Sequence, residues 1–204
     1  KAEVLCYQAL YQARDHHQIS ICICARMILA NIAIYRGDAD GYVQSLEYIQ
    51  SQKDGSDLHI RRLAELCIAA LSLFLGSTEN VQPWLYSIDS IKKILYFPAI
   101  YYAKVIYAVL LFFSKRYNEF SGFAQAALDD ENASGNIRLI MPRIVYYKYL
   151  AAVNLRNGKI VEAEDCFKKA LEISLPDRVL LPLAQNSDTL NIPYLIELTK
   201  SSVS

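Results

Sequence analysis

The sequence predicts an all-α fold: a right-handed superhelix of stacked antiparallel helix pairs, an α-solenoid with repeats of about 40 residues. Three observations predict it. Apolar residues recur at i, i+3 and i+4 along nearly the whole chain, the mark of one-sided helices. Short polar turns interrupt them at near-equal intervals: with Gly37, Gly76, Lys115 and Gly158 taken as equivalent, the spacings are 39, 39 and 43 residues. No stretch sustains the two-residue alternation and turn signals of a strand. A unit of that length is two helices of about four turns, which cannot bury its apolar face alone and must stack on its neighbours.

Taken in order, residues 1–14 carry Ala2, Leu5, Cys6, Ala9, Leu10 and Ala13 on one stripe and read as the second helix of a pair. His16 and His17 follow in a polar turn; neighbours on a helix point about 100° apart, which disfavours a shared metal or catalytic role. The next helix runs from Ile19 to Tyr35 and stops at Arg36-Gly37-Asp38. That tripeptide also spells an integrin-binding motif, but here it reads as a helix-ending turn. Gly41 to Gln52 form a third segment with Tyr42, Leu46 and Ile49 inward, broken at Lys53-Asp54-Gly55-Ser56. Leu58 to Leu75 stop at Gly76, and Pro83 suits the first turn of a helix carrying Trp84, Leu85, Ile88, Ile91 and Leu95. A long apolar helix begins near Pro98 and ends at Lys115-Arg116. Tyr117 to Leu128 follow, Asp129 to Gly135 form a polar loop, and Pro142 opens the next helix. Four units emerge, with a half unit before them and a tail after.

The composition narrows the classes of function. A chain of 204 residues, 53% apolar, can bury roughly 70% of its unfolded surface. It carries 21 basic and 21 acidic residues, a balance that argues against nucleic-acid binding through bulk charge, since phosphate neutralisation needs a clustered cationic face. The stretch Ala99 to Ser114 contains Lys104 and is too short to cross a bilayer. The opening Lys-Ala-Glu, with no initiator Met and no signal peptide, predicts a segment of a longer, cytoplasmic protein. Cys6, Cys22, Cys24, Cys67 and Cys166 lie in apolar helical patterns and read as buried reduced thiols; Cys22 and Cys24 point about 200° apart and do not share a metal. No catalytic set is expected. Glu162, Glu164 and Asp165 sit at a helix start, where acidic groups complement the macrodipole.

The clearest unit runs from Ile144 to Asp177. Tyr147, Leu150 and Ala151 form the stripe of its first helix, and Ala163, Phe167, Ala170 and Leu171 that of its second. Gly158 stands at the reversal, where glycine takes the left-handed conformation at little cost, and Pro176 ends the second helix. These residues resemble the tetratricopeptide repeat, a unit of about 34 residues, with the proline one place late.

The tail adds a second resemblance. Ala170-Leu171, then Leu175-Pro176-Asp177-Arg178, then Leu181-Pro182-Leu183-Ala184-Gln185-Asn186 and the apolar stretch Leu190 to Leu198 look like the C-terminal end of the repeat domain in MalT-type regulators, transcription activators of the LuxR class. The resemblance covers Tyr147 to Leu198 by motif and the rest by repeat length alone. It implies a parent protein with an NTPase, a winged-helix piece, this tetratricopeptide-like (TPR-like) domain over residues 1–204, and a DNA-binding helix-turn-helix. The segment has no Gly-x-x-x-x-Gly-Lys-Ser/Thr loop and no basic DNA-reading helix, so no nucleotide cofactor and no direct nucleic-acid contact are assigned to it.

What the resemblance implies for function is an effector-sensing or protein-interaction domain of a transcription regulator, binding a small molecule or partner protein in the concave groove. In the sugar-sensing member of the family the inducer is recognised by this domain. A free-standing interaction scaffold unrelated to transcription fits the same helix pattern. In the register set by Gly158, groove positions are Asn31 and Tyr35 in the first unit, Tyr102, Val109 and Phe113 in the third, and Lys148, Ala152 and Arg156 in the fourth. Tyr102, Tyr107, Tyr146 and Tyr147 read as packing residues ahead of ligand contacts, since tyrosine fills interfaces with its ring and keeps its hydroxyl wet. Left without its pair, the first helix is also a face for self-association.

Overall fold

The computed structural model describes residues 1–95, 99–133 and 140–201. Among them every regular element is helical: twelve α-helices and two short 3-10 turns. The chain forms two compact units, 1–106 and 107–204.

The first unit contains α1 (Ala2–Asp15), α2 (Ile19–Arg36), α3 (Ala39–Ser51), α4 (Leu58–Phe74), α5 (Ile88–Ile94) and the start of α6 (Ala99–Phe113). Helix α2 is its centre and packs against α1, α3 and α4. On one side Ile23 and Ala30 meet Ile49, Cys67, Ile68 and Leu71. On the other, Cys22, Ala25 and Leu29 meet Cys6, Leu10 and Ala13 of α1. At 18 apolar-rich residues α2 is long and apolar enough to cross a membrane by length and composition, which the sequence reading passed over; here it lies among three helices.

The second unit contains the rest of α6, then α7 (Tyr117–Ala133), α8 (Ile140–Arg156), α9 (Ile160–Ser174) and three short helices, α10 (Leu181–Ala184), α11 (Ser187–Leu190) and α12 (Ile192–Ser201). Helix α8 packs against α7, α9 and α10, and α12 against α9. The α8–α9 pair holds Ala151, Ala163, Phe167 and Ala170 fully buried. Small residues permit the close approach there, and Phe167 fills the crevice.

One backbone device ends the helices at each supposed repeat turn. Gly37, Gly76, Lys115 and Gly158 all adopt left-handed φ, between 60° and 78°. At each, two crossed bonds tie off the last carbonyls: Gly37 N to Ile34 O with Asp38 N to Ala33 O, Gly76 to Leu73 with Ser77 to Ser72, Lys115 to Phe112 with Arg116 to Leu111, and Gly158 to Leu155 with Lys159 to Asn154. This is the Schellman pattern. The same pattern closes α1 at His17 and α9 at Arg178, 20 residues before Gly37 and 20 after Gly158. The equivalence drawn from spacing alone is therefore an equivalence of backbone conformation.

Arg36-Gly37-Asp38 is consumed by this turn. Arg36 reaches Glu3 of α1 at 2.8 Å, Gly37 takes φ 69°, and Asp38 Oδ1 accepts from Gly41 N at 2.9 Å to cap α3.

Three expected boundaries are corrected. The helix expected from Pro83 to Leu95 is two pieces, because Ser87 is extended and caps a new start at Ile88, leaving Pro83–Tyr86 as a 3-10 turn. Trp84 in that turn donates through Nε1 to the buried Glu65 at 2.7 Å, with Arg62 on the same carboxylate at 2.6 Å. Second, α7 runs past Leu128 through Asp129 to Ala133, since no proline or glycine interrupts it there and Gln125 bonds Asp129 one turn on at 3.0 Å. Third, α8 begins at Ile140; Pro142 in its first turn removes an N–H that has no partner anyway. Pro98 and the loop expected up to Gly135 lie in part outside the described residues.

A Cβ added at Gly37 would meet nothing within 4 Å, so Gly37→Ala is expected to lose about 1 kcal/mol through backbone conformation alone. Lys115→Gly is expected to gain about 0.5–1 kcal/mol by relieving the same strain in a non-glycine residue. Urea unfolding of the two variants checks both signs.

Candidate functional site

The face of α8 that carries Lys148, Ala152 and Arg156, each one turn above the last, is where the sequence-predicted residues gather with chemistry attached. It is not open. Lys148 is 0% exposed, and its Nζ donates to the carbonyl oxygens of Pro182 at 2.5 Å and Gln185 at 2.8 Å. The same ammonium lies 4.9 Å from the Tyr149 ring centre. Burial drives the lysine pKa down from 10.5 to about 7.

Tyr149 stands in an aromatic cluster, with Phe112 edge-on at 4.8 Å and Phe120 at 6.2 Å between centroids. Its hydroxyl accepts from Asn186 Nδ2 at 2.9 Å. Burial pushes the phenol pKa up, and the Asn186 bond opposes the shift only in part. Arg156 lies over Phe112 at 5.5 Å and Tyr117 at 5.7 Å and donates to Thr189 O at 3.1 Å. Thus four α8 bonds hold residues 182–189, and three of them end on backbone carbonyls. Pro182 and Leu183, with Leu190 just after, are the buried apolar side chains here.

Of the groove positions expected in the fourth unit, Lys148 faces the chain's own tail, and Ala152 is buried. A cation this deep needs carbonyls to replace its water, and residues 182–185 provide them. Arg156 stays exposed at the rim. Phe113 is half-buried, 5.7 Å from Phe112 and 6.4 Å from Tyr149. Val109 is buried and cannot line a groove.

Asn31, Tyr35 and Tyr102 lie in the first unit and form a different group. Asn31 spends its amide on Met27 O one turn back, at 3.0 Å, and Tyr35 packs edge-on against Phe74 at 5.2 Å. Tyr102 is 38% exposed, but its hydroxyl end turns in to Met27 Sδ at 3.5 Å. Burial of that end, near Cys67 and Cys24, raises its pKa. Of the other tyrosines, Tyr107 and Tyr146 are buried against Phe123, at 5.1 and 6.3 Å, and Tyr147 is half-buried with Lys169 6.0 Å from its ring.

All five cysteines are free, and where all were expected buried, Cys24 is exposed and Cys166 half-buried. Cys24 faces away from buried Cys22, as their separation on the helix requires. Burial raises the pKa of Cys6, Cys24, Cys67 and Cys166, the opposite of an activated thiolate. Among the described residues no group of three His, Cys, Asp or Glu side chains could hold a metal ion.

Helix α1 exposes Val4, Leu5, Tyr7 and, at 72%, Tyr11. The hollow over it, about 720 Å³, is lined by this one helix and has no opposing wall.

No family model, curated protein or solved structure matches this chain. Its own geometry carries the argument.

The lysine makes stability depend on pH in a definite direction. Because its folded pKa, about 7, lies below the ordinary 10.5, the unfolded chain binds more protons between those values, and the lysine's contribution to stability rises with pH across that window. Replacing it by methionine is expected to flatten the rise. Urea midpoints at pH 6 to 9 for both chains isolate the term as their difference.

Proposed function

We propose that this chain is a TPR-like helical-repeat binding module, the sensing part of a larger regulator of the MalT-type, LuxR class. The observation that carries the repeat reading is the left-handed cap at Gly37, Gly76, Lys115 and Gly158, recurring every 39 to 43 residues. A right-handed superhelix is the arrangement such pairs favour. The regulator reading rests on the tail, whose motif residues each have a job: Arg178 closes α9 in the left-handed conformation, Pro182 and Leu183 are buried, and Asn186 holds Tyr149.

In this reading the module works in the cytoplasm, where its five free thiols stay reduced. It performs no catalysis and takes no cofactor. A peptide or small effector binds one state of the parent protein better than the other, and DNA is contacted only by a separate helix-turn-helix. A near-complete switch needs a preference of about 5.5 kcal/mol.

A second reading, a scaffold unconnected with transcription, draws on the apolar face of α1, which suits contact with protein better than with a metabolite. The complete gene separates the two. A phosphate-binding Gly-Lys-Ser/Thr loop upstream and a helix-turn-helix downstream are expected; a gene with neither contradicts the regulator reading and leaves the scaffold.

For the sensing role, a ligand at a hundred times its Kd stabilises by about 2.7 kcal/mol, roughly 5–10 °C in Tm for a domain of this size. A thermal-shift screen of sugars, short peptides and metabolites is expected to find such a ligand. A screen with no shift counts against the small-effector form of the proposal.

A further inference from the structure

We propose that the Lys148–Tyr149–Arg156 face of α8 is a peptide-docking site which the chain's own residues 181–191 occupy as an internal ligand. Its external ligand is a short apolar, proline-containing segment of a partner protein that displaces them. The proposal rests on the binding-module reading and names the partner of that module.

Three observations carry it. First, the face recognises main chain: Lys148 holds Pro182 O and Gln185 O, and Arg156 holds Thr189 O. Carbonyls are common to every peptide, so another chain can satisfy the same donors, with water taking their place while the face is open.

Second, the occupant has the form of a bound peptide more than of a packed helix. It consists of two four-residue helices, α10 and α11, separated and bounded by Asn186 and Asn191 in the left-handed conformation, with Arg178 in the same conformation just before it. Its apolar anchors, Pro182, Leu183 and Leu190, are few and spaced. Side chains at such anchors set specificity while carbonyl contacts set register. The ligand implied is apolar-Pro-apolar-small, as in Leu181-Pro182-Leu183-Ala184.

Third, the Asn186 amide on the Tyr149 hydroxyl reads a particular tail side chain by hydrogen bonding. A partner segment with asparagine or glutamine at that place reproduces it.

Hydrogen exchange on the unmodified protein tests the first half. Amides of residues 181–191 are expected to exchange at least about 100-fold faster than those of α8, because the segment opens without the helix array unfolding. Equal rates would overturn the proposal, since the tail then leaves only when the fold does. A fluorescein-labelled synthetic peptide of residues 179–192 tests the second half. A site closed 99% of the time binds an added peptide about 100-fold more weakly than an open one. The double variant Leu183→Ser/Leu190→Ser, which loosens the tail and leaves α8 untouched, is expected to bind the peptide at least about tenfold more tightly than the wild type. Adding Lys148→Met should abolish that gain. A loosened chain, still helical by circular dichroism, that binds no better than the wild type would sink the idea. If the double variant unfolds, the hydrogen-exchange comparison decides alone. Failure in either form leaves the module reading to its own tests, the complete gene and the ligand screen.

Discussion

A helix can turn back on itself only if its last carbonyls find donors, and among the described residues that constraint is met the same way six times. At His17, Gly37, Gly76, Lys115, Gly158 and Arg178 the backbone crosses into the left-handed region and two amides reach back to close the helix. Everything else follows from where those reversals fall. They set helix length, hence which apolar stripe faces which, hence cores such as Ile23 against Ile49 and Leu71 or Phe167 in the α8–α9 crevice. Three of the six are not glycines, and the pattern persists, so hydrogen bonding at the helix end outweighs a conformational cost of roughly 1–2 kcal/mol.

The second organising interaction is electrostatic. Lys148 is buried with its ammonium on two carbonyls and beside the Tyr149 ring. Removing a cation from water is costly enough that it must be solvated by protein, and the returning tail supplies two carbonyl oxygens. Arg156 and Asn186 extend the contact along one side of α8. Lys148 and Arg156 on this face thus bond main-chain carbonyls of the chain's own residues 182–189.

How much of this was legible in the sequence depends on range. Helix ends governed by near neighbours could be read: Gly37, Gly76 and Gly158 announced their turns, and even Lys115 was placed by spacing although lysine itself gives no such signal. The division at Ser87 was harder, because it depends on a serine capping a helix only two turns long. The groove was read by register alone, which places Lys148, Ala152 and Arg156 correctly on one face but says nothing of what covers it. Residues 34 and 37 positions away in sequence decide that, and no local pattern encodes them. Val109 failed for the same reason, since the burial of a helix face depends on what packs beyond it. Tyr149 and Phe112, at the heart of the site, went unremarked because an aromatic within an apolar helix looks like any other core residue.

The claim on which the account turns is that Lys148 is solvated by the tail rather than by water. NMR with carbon-13-labelled lysine tests this most directly, through nuclear Overhauser contacts from the Lys148 side chain. The account requires contacts to the protons of Pro182 and Leu183, and an ammonium slow to exchange with solvent. Random-coil shifts, fast exchange with water and no contact to the tail would contradict it.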